Sequence, residues 1–183
     1  MRCPIFSLSP LRLLTLFVGM MTSGSYLSPS LSAQSTETVS LHGGWSLRES
    51  SGGEWLPATV PGVVQQDLIR HGRLPDPYYR LAEDSIQWVG GRGWVYRCTF
   101  DLTLAQLAYP SRHLLFEGLD TYARVYLNGQ LILSSDNMFV RHEVDVRRYL
   151  RRTNTLELHF SSPLKAALPL YEASGKLNYP ADN

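Results

Sequence analysis

The stretch that most restricts the fold is Phe116-Glu117-Gly118-Leu119-Asp120-Thr121-Tyr122-Ala123-Arg124-Val125-Tyr126-Leu127-Asn128-Gly129-Gln130-Leu131-Ile132. Leu114 and Phe116 alternate with His113, Leu115 and Glu117 until Gly118 breaks the run. Ala123, Val125 and Leu127 then alternate with Tyr122, Arg124 and Tyr126. A period of two is what a sheet with unlike faces requires. Asn128-Gly129 follows at once. Both residues accept positive φ at low cost, so the pair is a favoured two-residue turn into Leu131-Ile132-Leu133.

The rest of the chain repeats this pattern. Val39 to His42, Trp45 to Glu49 and Trp55 to Val60 read as short strands, and Pro57 suits a sheet edge. Trp94 to Leu102 is the clearest strand, with Trp94, Tyr96, Cys98, Phe100 and Leu102 on one face. Val140 to Val144 and Thr155 to Phe160 complete the set. One short helix is expected over Val63 to His71, ending where Gly72 offers a C-terminal cap. Leu74 to Gly93 reads as a long irregular loop held by Pro75 and Pro77, and loops of that length usually dock or bind something. The fold class is therefore all-β, an antiparallel jelly-roll sandwich with one short helix and an irregular C-terminal tail.

With 183 residues the chain is long enough for one domain plus appendages. Arg2 and Arg12 precede an apolar run, Leu13 to Met21, and a small-residue region ending at Ala33. That is the layout of a secretory signal, and the run is too short to span a bilayer. The expected organisation is a signal and linker over 1–33, the sandwich over 34–162, and over 163–183 the start of a connection to a further domain. Within that tail Leu164 to Ala173 reads as a helical turn interrupted by Pro169. Export to a periplasm or the extracellular space is expected. The absence of an Asn-x-Ser/Thr acceptor favours that over a lysosome.

Removal of Arg2 and Arg12 takes the formal charge from +1 to −1 (1 − 2 = −1). No basic face is left for nucleic acid. Cys3 lies in the leader, which leaves Cys98 as a buried small hydrophobe without an intrachain partner. Neither the cysteines nor His42, His71, His113, His142 and His159 show metal-ligand spacing. No Gly-x-Ser-x-Gly elbow occurs.

The carboxylates that an unaided hydrolase would draw on are Asp76, Glu83, Asp84, Glu117, Asp120 and Asp136. Asp120 and Asp76 suit local turn bonds, and Glu83-Asp84 suits solvent. Trp45 and Trp94 belong to strand faces and to the core. Tyr78, Tyr79, Trp88 and Phe139 lie in loops and suit an interface.

Several phrases taken together resemble the N-terminal sandwich domain of β-mannosidases, in the glycoside hydrolase family that also holds β-galactosidases and β-glucuronidases. They are Val60-Pro61-Gly62, Leu74-Pro75-Asp76-Pro77-Tyr78-Tyr79, Gln87-Trp88-Val89, Trp94-Val95-Tyr96, Phe116-Glu117-Gly118-Leu119-Asp120-Thr121, Asn128-Gly129 and Asn137-Met138-Phe139. Their order and spacing over about residues 40 to 162 make the likeness specific. Gly93 and Ala82 depart from it, at places where the family usually has an acidic residue and Asn.

The resemblance implies a retaining hydrolase of terminal β-linked mannose whose two carboxylates lie in a downstream (β/α)₈ barrel, about 5–5.5 Å apart. This chain would be the accessory domain, packed on that barrel and meeting the β-mannoside glycan only through the full-length enzyme. Asp76, Tyr78, Tyr79, Trp88, Asn137 and Phe139 are the interface or substrate-cleft candidates. No catalytic residue is expected in this chain, and no metal or organic cofactor is implied. A stand-alone carbohydrate-binding module and a purely structural sandwich are the competing expectations.

Overall fold

In the computed structural model, residues 2–9, 36–78 and 82–175 are described. Ten strands form two sheets: β1 (Arg2–Ser9), β2 (Glu37–Ser40), β3 (Trp45–Glu49), β4 (Leu56–Pro57), β5 (Trp94–Asp101), β6 (Ser111–Gly118), β7 (Ala123–Leu127), β8 (Gln130–Ser135), β9 (His142–Asp145) and β10 (Thr153–Phe160). The order is β2-β1-β6-β9 in one sheet and β4-β3-β5-β10-β7-β8 in the other. Every pairing is antiparallel. The expected sandwich is present. β1 lies inside the stretch assigned to the leader, and it sits between β2 and β6.

The alternation read in the sequence decides which side chains meet between the layers. Tyr96, Leu127, Val125, Leu156 and Leu158 from the larger sheet and Leu114 and Phe116 from the smaller are fully buried. Trp45 and Trp94 join them, as does Cys98. Burial pushes the Cys98 thiol up to about 12, so it stays protonated and unreactive at neutral pH. The Tyr96 and Phe160 rings meet edge to face, centroids 6.1 Å apart. Each such buried side chain contributes about 1.5–3 kcal/mol by leaving water.

The Asn128-Gly129 turn has the two positive φ angles its sequence demands, 52° and 81°. Asn128 does more than turn the chain. Its Nδ2 donates to the Tyr149 carbonyl (2.8 Å) and to Asn154 Oδ1 (3.0 Å), and its Oδ1 accepts from Thr155 N–H (2.9 Å). Asn154, fully buried, also accepts from Arg151 N–H and donates to Arg151 O, at 2.8 and 2.7 Å. The two asparagines lock the β7–β8 hairpin to the turn that leads into β10.

The helical content exceeds the one short helix expected. That helix is there as α1 (Val64–Arg70), closed by Gly72 at φ +65°. Within the expected irregular loop, α2 (Ala82–Ile86) and a 3₁₀ turn (Gln87–Gly91) form. Pro75 and Pro77 restrict only the start of the segment, and the prolines end before Ala82. α3 (Leu104–Ala108) is closed by a reciprocal capping box in which Thr103 and Gln106 bond each other's backbone. α4 (Pro163–Ala173) runs on through Pro169, where a helical break was expected. None of its residues is buried, so the carbonyl that Pro169 deprives of a donor is free to meet water.

On the outward face of the larger sheet, Glu157 takes Arg97 at 2.7 Å and His159 at 3.0 Å. Burial works to raise its pKa, but the hydrogen bonds of His159 and Arg97 outweigh burial and leave it lowered. A lowered carboxylate adds stability above its ordinary value of 4.5 and loses it as pH falls through the folded value.

Two outcomes follow. Replacing Asn154 by Ala orphans the Arg151 backbone and the Asn128 amide, and a loss of about 2–3 kcal/mol is expected in urea unfolding. In thermal melts from pH 7 to 3, Glu157→Gln is expected to flatten part of the acid-side fall in Tm seen for the parent chain. Parallel curves in the two proteins would contradict the Glu157 assignment.

Candidate interface at the loop end of the sandwich

One row of paired residues crosses the larger sheet near its end: Glu49–Trp94, Trp94–Phe160, Phe160–Ala123 and Ala123–Ser135. Beyond that row the strands give way to segments that carry three of the six interface candidates, Trp88, Asn137 and Phe139. These are residues 87–93 ahead of β5, 119–122 ahead of β7, 136–141 after β8 and 161–163 after β10. The core therefore fixes where these loops start, and short local bonds fix how they continue.

The loop after β8 is held by Ser135, which is buried. Its hydroxyl donates to the Asn137 carbonyl (3.3 Å) and accepts from Asn137 N–H (3.4 Å), and His142 Nε2 lies 3.1 Å from it. Asn137 Oδ1 accepts from Phe139 N–H at 2.9 Å, which shapes the turn and leaves the Phe139 ring 86% exposed. Gly118 touches the same loop. A Cβ there would stand 2.9 Å from the Met138 carbonyl oxygen, so the corner and the loop come this close only because residue 118 has no side chain.

The segment ahead of β5 is pinned from the other side. The Ser162 hydroxyl donates to the Gly90 carbonyl (2.7 Å) and accepts from Lys165 N–H (3.2 Å), joining the 3₁₀ turn to the start of α4. Trp94 Nε1 donates to Val89 O at 3.1 Å. Trp88 leans on Trp94, ring centroids 6.2 Å apart, with the Arg92 guanidinium 5.6 Å from its own ring centre. It remains 42% exposed. Arg92 is anchored to Glu49 at 2.7 Å. Bonds from Ser51 and then Arg92 hold the Glu49 carboxyl below its usual range. Gly93 also has a steric reason: a Cβ would lie 3.1 Å from the Phe160 carbonyl oxygen and against Ser50. The acidic residue the resemblance places there would require the Ser50 side chain to move aside.

Between the start of α1, the segment ahead of β5 and residues 160–163 lies a cleft of about 180 Å³ lined by Gly62, Val63, Gly90, Trp94, Asp120 and Pro163 among others. Two buried polar groups, Asp67 and the Tyr96 hydroxyl, were not foreseen. Asp67, 1% exposed, accepts from Thr59 N–H at 3.1 Å and pairs with Arg70 at 2.8 Å. Its Oδ2 and the Tyr96 hydroxyl are buried without a hydrogen bond of normal geometry. Burial, and then the Asp67 carboxylate, push the Tyr96 pKa up, so the phenol stays neutral. An aspartate inside an amphipathic helix carries no sequence signal that separates it from a solvated one. A larger hollow of about 590 Å³, lined by Ile132, Val144, Asp145, Arg147, Arg148 and Tyr149, lies away from these loops. Its Arg147 is spent on Asp145 (2.7 Å) and on the Pro110 carbonyl (3.0 Å).

Trp88, Asn137 and Phe139 thus share one end of the sandwich with Asp120. Asp76 makes the turn bond its setting suggested, accepting from Tyr78 N–H at 2.9 Å, and Tyr78 is 95% exposed. Tyr79 lies outside the described residues. Asp120 bonds the Thr121 hydroxyl. Glu83 and Asp84 are exposed. Among the described residues no group of three His, Cys, Asp or Glu is placed to hold a metal ion, and no helix is long and apolar enough to cross a membrane. The end offers exposed apolar rings, with Arg92 committed to Glu49 and Asp120 to Thr121. That chemistry suits packing against another surface.

Gly118→Ala is expected to push the Met138 carbonyl away, lowering Tm by a few degrees and shifting the backbone resonances of residues 134–142. An unchanged spectrum in that loop would show that it does not depend on the close approach.

Comparison with known proteins accords with this geometry. Residues 45–183 match the family model described as the glycosyl hydrolase 2 galactose-binding domain-like family. The β-mannosidase B of Emericella nidulans is 44% identical over 133 residues, covering 69% of this chain and 16% of that protein. The β-mannosidase of Rattus norvegicus is 35% identical over 130 residues, 71% of this chain and 15% of that one. The crystal structure of the β-D-mannosidase from Dictyoglomus thermophilum superimposes with a TM-score of 0.70 at 38% identity, covering 76% of this chain and 17% of that chain. An exo-chitosanase from Amycolatopsis orientalis shares the fold, at a TM-score of 0.57 and 19% identity. The chain therefore spans about a sixth of the length of these relatives, and it belongs to the galactose-binding-like N-terminal domain family of glycoside hydrolase family 2.

Proposed function

We propose that this domain is the accessory domain of a β-mannosidase-type hydrolase acting on terminal β-D-mannose residues, and that its loop end docks on the catalytic domain. The observation that carries the reading is the cluster of exposed rings at one end of a well-packed sandwich. Phe139 and Trp88 are exposed there, on loops preset by hydrogen bonds. Exposed apolar groups set on rigid loops cost little entropy to bury, which is what a domain interface needs. The identity to β-mannosidases supports the substrate class.

The domain's carboxylates support a non-catalytic role. Glycoside cleavage requires one acid and one nucleophile or base facing a common space. Here Glu49, Asp67, Asp145 and Glu157 are each engaged by a cation. Asp76 and Asp120 are engaged in turns. In this reading the double displacement at the anomeric carbon takes place on the partner domain, and this domain braces it and walls its cleft. Export is part of the proposal, supported by the basic, apolar and small-residue order of residues 1–33.

The test uses the whole chain in trans. Alone it is expected to release no nitrophenol from nitrophenyl β-mannoside. Added to the Dictyoglomus thermophilum β-mannosidase stripped of its own first domain, it is expected to bind and to raise that fragment's activity. Phe139→Ala and Trp88→Ala are expected to weaken binding at least tenfold while leaving the chain's own Tm within a few degrees. Turnover by the chain alone would overturn the reading, as would binding indifferent to both substitutions.

A further inference from the structure

The smaller sheet holds a position that this domain fills in an unusual way. β2 and β6 are not paired with each other; each is paired to β1. Adjacent strands lie about 4.8 Å apart, so β2 and β6 stand roughly 9.6 Å apart, too far to share hydrogen bonds. β1 is bonded on both sides, matching Ile5 to Leu8 with Ser40 to Glu37, and Arg2 to Ser9 with Gly118 to Ser111. β2 has no other strand partner among the described residues. The segment 2–9 is also the start of the sequence that reads as a secretory leader. The same eight residues cannot be threaded into a translocation channel, or removed with a leader, and also complete the sheet.

We propose that the position between β2 and β6 is a strand-acceptor site, filled by Arg2–Ser9 in the uncut chain and opened when the leader is removed. Its walls define the ligand: an extended peptide of seven or eight residues running antiparallel to both neighbours. The wall strands carry buried Leu114 and Phe116 on β6 and half-buried Val39 on β2 toward the core, so the ligand must present an apolar residue at every second position. In the sequence of Arg2–Ser9 the apolar Pro4, Phe6 and Leu8 recur at every second position, and the register pairs Phe6 with Val39 on one side and Leu114 on the other. The position of Pro4 agrees with it. A proline cannot donate to a ladder and is confined to places open on one side. The β1–β2 pairing begins only at Ile5, so Pro4 has β6 beside it and no partner on the other flank.

The experiment places a protease recognition sequence between Ala33 and Gln34 of the full chain. Cutting and removing residues 1–33 is expected to lower Tm by roughly 10 °C or more. A synthetic peptide of residues 2–9 is expected to restore it, and a scrambled peptide is not. An unchanged Tm after removal, or a cut chain indifferent to the peptide, would overturn the proposal. A cut chain that regains its Tm by dimerising would assign the position to a second copy and overturn the assignment to Arg2–Ser9. Should the cut chain precipitate, the uncut chain decides. Phe6→Pro deletes one ladder bond and is expected to speed hydrogen exchange at residues 37–40, and exchange equal to the parent's would overturn the proposal.

Discussion

The structure depends on the laying of β10 between β5 and β7. Eight residue pairs join β10 to β5 and five join it to β7. With that register set, Leu156 and Leu158 fall on the same face as Cys98, Tyr96, Leu127 and Val125, opposite Leu114 and Phe116. A slip of one residue would turn Glu157 and His159 into the core and Leu158 out of it. The cost of burying an ionised carboxylate in apolar surroundings makes that slip prohibitive. The polar lock of Asn128 and Asn154 acts at one end of the same strand, and the row ending at Ser135 acts at the other.

That register is also what makes the loop end a surface. Phe160 closes β10 beside Trp94 and Ala123, and from there the chain passes through Ser162 into α4. Ser162, Ser135 and Gly118 are not ring-bearing residues, yet each sets the position of a loop that is. Exposed aromatics on loops that wander would be a liability, whereas on preset loops they form a docking face. The buried Asp67 ties α1 to the Thr59 backbone N–H that precedes it.

Period-two alternation and turn chemistry were enough to read the strands, because in a two-faced sheet the pattern is the burial. Trp94–Asp101 and the Asn128-Gly129 turn came through within a residue. The helices were harder. Thr103-Leu104-Ala105-Gln106 carries a capping box, but five residues give no periodicity to support it. In residues 74–93 the prolines and glycines mask α2, whose ends they flank. Pro169 reads as a breaker, yet α4 continues past it with none of its residues buried, so the carbonyl left without a donor can meet water. At the site, loop aromatics were legible as exposed because strands had no place for them. Ser135, Gly118 and Asp67 were not, since their roles come from contacts with residues distant in sequence.

Hydrogen exchange on the intact chain reports most directly on the central claim, that a rigid two-layer core presents preset but uncovered loops. Amides of β5 and β10 are expected to exchange last, with the side-chain-bearing loop residues 88, 138 and 139 among the first of the described residues. Protection in those loops equal to that of β5 would mean that the domain already covers its own end and leaves no face to dock. Fast exchange in β10 would mean that the sheet register described here does not hold the molecule together.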